Sequence, residues 1–214
     1  MSITIKNNIR ASKKKKSSQK KKIKQVLSDL KNELTNEFLI FYESSINDFY
    51  KLEETKADYY QGFTVMNSPA SFKHENTFAD LFSSMRIYSE NKKLGKVLGS
   101  RTLIIFDGKN RFEPDIVFIS KDNPGEFKDV EFIGVPDLVV EILSKTSRQY
   151  DLILKNMIYQ EHKVKEIIFV DLKNTEIIIF TLEKDDYKKI ILRQNEEYIS
   201  NVINGFVFSN NLTL

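Results

Sequence analysis

The sequence predicts an α/β fold of the α+β kind, with a central mixed β-sheet flanked by helices. Three observations carry that prediction. Apolar residues recur at helical spacing over about 72–94 and 147–162. Two nearly continuous apolar runs, FEPDIVFIS (112–120) and PDLVVEILS (136–144), read as strands covered on both faces. EIIFVD (166–171), EIIIFTL (176–182) and YKKIIL (187–192) follow the second helix, so the order runs helix, strands, helix, strands.

The elements follow in chain order. Residues 1–22 are expected to be a disordered basic tail, because KKKKSSQKKK repels itself and offers nothing to bury. Its lysines Lys13, Lys14, Lys15, Lys16, Lys20, Lys21 and Lys22 suit a phosphate-binding arm, and equally a solvated tail or an import signal. Over 23–44 an extra N-terminal helix is expected. Ile23, Val26, Leu27, Leu30, Leu34, Phe38 and Phe41 form one stripe, able to pack on the domain or pair with a second copy. A domain over 45–214 follows. It starts with a helix over about 46–56 capped by Ser45 or Asn47, then a strand GFTVMN (62–67) broken by Ser68-Pro69-Ala70. The helix over 72–94 carries Phe78, Leu81, Phe82, Met85 and Tyr88, with Gly95 and Gly99 punctuating its end. TLIIF (102–106) and a turn at Asp107-Gly108 lead into the apolar runs, and the helix over 147–162 turns a stripe of Tyr150, Ile153, Leu154, Met157 and Ile158 to the core.

Composition narrows the class. With 41% apolar residues in 214 positions, one domain and an appendage suffice. The absence of cysteine excludes thiolate chemistry and suits a reducing, cytoplasmic setting. No secretory pattern is visible, and no apolar run nears the roughly 20 residues of a membrane helix, so no membrane partner is expected. Residues 1–24 hold ten bases and no acid; setting them aside leaves 23 bases against 30 acids, a net of −7 for the rest. An acidic body with a basic tail is not a general nucleic-acid-coating surface.

The chemistry is expected where charge interrupts apolar strands. Glu141 sits in the middle of LVVEIL, and an ionised carboxylate buried there needs a cation, a base or a wet cleft. Asp115 interrupts FEPDIVFIS in the same way. If the two strands are neighbours, about 5 Å apart, both acids can share one hard cation such as magnesium. A metal so held polarises a phosphate and activates a water. Asp137 also follows a proline, but it lies four residues before Glu141, roughly 13 Å away at about 3.3 Å per residue, too far to share that ion. On the last helix, Asp151 and Lys155 are four apart. Helical geometry alone favours an exposed ion pair there over a lysine facing a phosphate. His162 reads as a surface residue near a helix C-terminus.

Taken together, PD (114–115), VPDLVVEILS and TSRQYDLILKNMIYQEHKVKEIIFVD resemble the Uma-type restriction endonuclease family of the PD-(D/E)XK superfamily. YYQGFTVMNSPASFKHENTFADL is similar to that family's upstream half, and the likeness covers about residues 46–190. The resemblance implies a restriction-endonuclease-like core and a magnesium-dependent DNA endonuclease, with manganese as a substitute ion. It implies Asp115 and Glu141 as metal ligands, and Tyr159 and the 164–171 segment as further family positions. The superfamily's usual lysine, two residues after the glutamate, is Leu143 here, and the resemblance moves that catalytic role to Lys155. It gives supporting roles to Asp58, where the family has a glutamate, to His74 and to Asp151. A catalytically silent nucleic-acid-binding module on the same fold is the alternative, and a homodimer built on the 23–43 helix is a third reading.

Overall fold

Isoleucine and valine crowd the second half of the chain, and most strands of a six-stranded sheet form there. The computed structural model describes residues 25, 40–52, 56–66, 69–99 and 101–211. The strands are β1 (Ile40–Glu43), β2 (Ala57–Tyr60), β3 (Phe63–Met66), β4 (Gly95–Gly99), β5 (Leu103–Asp107), β6 (Asn110–Phe112), β7 (Ile116–Ser120), β8 (Glu126–Phe127), β9 (Glu131–Ile133), β10 (Leu138–Leu143), β11 (Glu166–Asp171), β12 (Glu176–Glu183), β13 (Asp186–Leu192), β14 (Glu197–Ile199) and β15 (Val207–Ser209). Helices are α1 (Ile46–Tyr50), α2 (Phe72–Asn91), a π-helical turn (Tyr150–Lys155) and α3 (Asn156–Glu161). The six-stranded sheet runs β13-β12-β11-β10-β7-β4, mixed because β10 and β11 are parallel. A second sheet of seven strands runs β1-β3-β2-β6-β5-β9-β8, and β14 pairs β15. The α+β fold with a mixed sheet and flanking helices is therefore the one expected, with a second sheet added.

β10 shows why the six-stranded sheet is central. All six of its residues are buried, and successive side chains point to opposite faces. Leu138, Val140 and Ile142 join Met85 of α2 and Phe206 and Phe208 near the C-terminus in one apolar core. Glu141 points to the other face, where Tyr159 and Lys155 of the helical segment meet it.

Several expected boundaries move, each for a physical reason. Residues 40–43, assigned to the 23–44 helix, are strand: they pair with β3 in the register Ile40↔Met66 to Glu43↔Phe63. That pairing outweighs the helical spacing. Apart from Gln25, which is helical, the remainder of that helix and the tail lysines lie outside the described residues. α1 begins on the expected cap, with Ser45 and Asp48 forming a reciprocal capping box, but it ends at Tyr50, short of residue 56. β2 then takes 57–60, which the sequence reading left unassigned. α2 stops at Asn91, and the two glycines expected to end it begin and end β4. Gly95 lies so close to β7 that a Cβ there would clash with the Ile119 carbonyl oxygen. The run FEPDIVFIS divides at Glu113-Pro114-Asp115, giving β6 in one sheet and β7 in the other. Proline has no N–H to offer a ladder, which suits that crossing point.

Candidate active site

Asp115 and Glu141 come together through register. β7 and β10 are antiparallel neighbours with Ile116 opposite Val140, so one further step sets Asp115 across from Glu141. The Ile142 N–H donates to Asp115 Oδ2 at 2.8 Å, fixing the carboxylate against β10. His74, in the first turn of α2, stands 3.2 Å from the same oxygen, and Lys56 Nζ is 2.7 Å from Oδ1. Burial opposes ionisation of Asp115, but the His74 hydrogen bond and the Lys56 charge hold its carboxyl well below the usual carboxylate range. Burial likewise tends to lower the His74 pKa, and the bond and charge of Asp115 outweigh it and raise it.

Glu141 heads the second half of the cluster. Tyr159 donates its hydroxyl to Glu141 Oε1 at 2.6 Å, and Lys155 Nζ donates to the same oxygen at 3.0 Å. Lys155 also lies 3.3 Å from Asp151 Oδ1 and 3.4 Å from Asp58 Oδ2. Tyr150 donates to Asp58 Oδ2 at 3.0 Å, and the Glu113 N–H donates to Asp58 Oδ1 at 2.8 Å. Burial would lower the Lys155 pKa, yet the charges of Asp58, Glu141 and Asp151 hold it well above an ordinary lysine's. Burial raises Glu141 and Asp151 against the pull of Lys155, and the charges of the neighbouring acids add to that rise. Burial and the Asp58 charge push Glu113 up to about 7.

All six residues singled out beforehand, Asp58, His74, Asp115, Glu141, Asp151 and Lys155, thus share one network. The exposed Asp151–Lys155 pair that helical geometry favoured is not what forms, since Lys155 is only 2% exposed. The cause is the π-helical turn, where the Asn156 N–H bonds back to the Asp151 carbonyl. Its turns close i→i+5 and hold more residues than an α-helical turn, so the inward face changes. Tyr150, Asp151, Leu154, Lys155, Ile158 and Tyr159 turn inward, while Ile153, expected in the core, is exposed. Asp137 stays outside the network as expected, bonded to Lys165 at 2.7 Å and to the Ser120 N–H at 2.8 Å. His162 docks on Asp107 at 3.2 Å and packs its ring on Phe106. Lys56 went unnoticed in the sequence, where it is one of many polar lysines. Asp58, in the buried run ADYY, answers to the same charge-in-an-apolar-strand signal that found Glu141.

Among the described residues, no three His, Asp or Glu side chains converge into a ready-made metal cage. Magnesium needs less, since one or two carboxylates, water and substrate phosphates commonly hold it. Asp115 and Glu141 fit that requirement in donor chemistry and in their opposed positions. An excess of buried carboxylates over lysines also suits a further cation.

A family model described as "Putative restriction endonuclease", Uma2, matches residues 46–212. The chain belongs to the Uma2 family. Among solved structures, this Uma2 protein resembles one described as a putative nuclease belonging to DUF820 from Anabaena variabilis ATCC 29413. The TM-score is 0.65 at 16% identity, over 77% of this chain and 93% of that one. At that identity the likeness is one of fold. No curated protein matches the chain. Among the described residues, no helix is long and apolar enough to cross a membrane.

Proposed function

We propose that this Uma2 protein is a divalent-metal-dependent endonuclease that hydrolyses phosphodiester bonds of DNA. The observation that carries the reading is the facing pair of Glu141 on β10 and Asp115 just before the adjacent β7, backed by Lys155. Magnesium, or manganese in its place, would be held by these two carboxylates and would polarise the phosphate and activate a water. The protein's own groups prepare that site. Ile142 N–H and His74 orient Asp115. Tyr159 and Lys155 both bind Glu141 Oε1 and so fix the rotation of that carboxylate. Lys155, enclosed by three acids, sets the charge of the site, whereas Lys56, with 27% of its side chain exposed, is the cation able to reach a phosphate from solvent. Proximity of fixed charges to the place where negative charge develops is the main electrostatic contribution such a site offers.

The test uses supercoiled plasmid, short single-stranded DNA and RNA, each with magnesium, manganese or EDTA, alongside Asp115→Ala and Glu141→Ala. Metal-dependent DNA cleavage lost in both variants is the expected result. Wild type and variants behaving alike under every metal would overturn the catalytic reading, leaving a silent nucleic-acid-binding module on this fold. Cleavage confined to RNA would correct the substrate. Sedimentation of the full chain tests the separate proposal of a homodimer.

A further inference from the structure

Beside the acid network lies a cavity of about 340 Å³ that the chemistry above leaves unused. Tyr50, Leu52, Leu103 and Val130 give it apolar walls, and Arg101 and Glu113 are its charged members. Its size falls in the range of small-ligand sites, at the lower end of roughly 300–1,000 Å³. The cavity and the network share Glu113, whose N–H holds Asp58 and which precedes Asp115 by two residues. Two residues of chain span at most about 7 Å. The opening is therefore within one nucleotide's reach of Asp115.

Two features of the lining point to a ligand. Glu113 is more than nine-tenths buried, yet its Oε2 accepts no hydrogen bond. Arg101 Nε, at 3.8 Å, is beyond hydrogen-bonding distance of that oxygen. A buried acceptor left this way is unfavourable until a donor arrives. The rim is apolar and open, with Val130 72% and Tyr50 46% exposed. The Tyr50 ring is braced, since its hydroxyl accepts from Arg111 Nε at 3.1 Å and lies 3.4 Å from Glu131 Oε2. A held aromatic face beside an apolar wall, with a waiting acceptor at the back, matches a flat ring bearing N–H groups on its edge. An aliphatic ligand would leave Glu113 unmet.

We propose that this cavity receives one nucleobase of the substrate, adjacent to the bond to be cut. The base stacks against Tyr50 and Val130 and donates an edge N–H to Glu113 Oε2. Arg101 meets an acceptor on the same base. This rests on the nuclease reading and adds to it a subsite that reads one nucleotide. Stacking on a protein aromatic and hydrogen bonding to the base edge are the usual means of holding an unpaired base.

The experiment is an abasic scan on the full chain. Fluorescein-labelled single strands of about a dozen nucleotides, each with one abasic position, are titrated by anisotropy in calcium and in EDTA. Cleavage of the same strands is followed in magnesium. Wild type is expected to lose about tenfold in affinity when one particular position is abasic and little elsewhere. Val130→Asp, at an exposed rim position, is expected to erase that positional loss. Glu113→Gln is expected to change which base is preferred there by about fivefold while keeping the positional loss. A flat scan in wild type with binding and cleavage intact overturns the subsite and leaves the nuclease standing. A positional loss untouched by either variant also overturns it, because the base would then be read elsewhere. Strands neither bound nor cut would remove both readings together.

Discussion

Lys155→Met deletes the one charge that the buried acids share while keeping most of the side chain's length. Nζ stands 3.0 Å from Glu141, 3.3 Å from Asp151 and 3.4 Å from Asp58, and all four side chains are at most 4% exposed. Removing one partner of a buried ion pair typically costs about 3–5 kcal/mol, because the remaining charge is stranded. For a domain of this size each kcal/mol is worth about 2–4 °C in Tm, so the expected fall is on the order of 6–20 °C. The effect should depend on pH. Without the lysine, the folded-state pKa values of Glu141 and Asp151, already raised by burial, rise further above their unfolded values. A raised carboxyl pKa destabilises at pH above the unfolded value, and two proteins with different folded-state values differ in that penalty only where the group is ionised in one fold and protonated in the other. Since folded wild type holds Glu141 at about 8 and the variant holds it higher, the gap should widen as pH rises from about 7 to about 9. Circular-dichroism melts of both proteins in EDTA across that range measure it. Equal melting temperatures at about pH 8 would refute the argument, since Lys155 would then not be the counter-charge of ionised acids.

Three further outcomes are expected. Tyr159→Phe removes the 2.6 Å hydrogen bond to Glu141 and should cost about 1–3 kcal/mol in denaturant unfolding, as for a buried polar group left without its partner, and lower cleavage with it; an unchanged midpoint would mean that the bond is replaced by water. Lys56→Ala should weaken DNA binding alike for all sequences and flatten the slope of log affinity against log salt by about one, measured by anisotropy at several ionic strengths; an unchanged slope would remove Lys56 from the phosphate contacts. Gly95→Ala drives a Cβ against the Ile119 carbonyl oxygen and the Ser120 Cα, and should destabilise by about 1–3 kcal/mol without moving the metal dependence of cleavage; a variant as stable as wild type would show that β4 can shift away from β7.

What the sequence revealed depended on whether a residue's surroundings are local. Glu141 was legible because LVVEIL announces a strand buried on both faces with one charge in it, and both facts lie within six residues. Asp58 carries the same signal in ADYY, but that run is short and follows a helix whose end at Tyr50 was not foreseen. FEPDIVFIS looked like one strand because a jump between sheets leaves no mark beyond a proline. Lys155 was the hardest. Its inward aim depends on a π-helical turn that 3.6-residue periodicity does not describe, and only the resemblance to a family favoured it. Lys56 gave no signal at all, because its partner Asp115 lies 59 residues away.

The charge distribution carries the proposed reading one step further. Outside the first 24 residues the chain is acidic by seven charges, and the candidate site itself concentrates Asp58, Glu113, Asp115, Glu141 and Asp151 around Lys56, Lys155 and His74. With those acids ionised, such a cluster repels a phosphate backbone. Lys56 offsets part of that repulsion but is engaged by Asp115 at 2.7 Å, and Lys155 is enclosed by the acids. On the proposed reading, a divalent cation therefore has two tasks: it supplies the chemistry, and it turns the cluster from repulsive to attractive. Cation and substrate should then bind with positive coupling, each raising the affinity for the other by the same factor. Lys56, freed from Asp115 as that carboxylate turns to the cation, would be released to the phosphate in the same event.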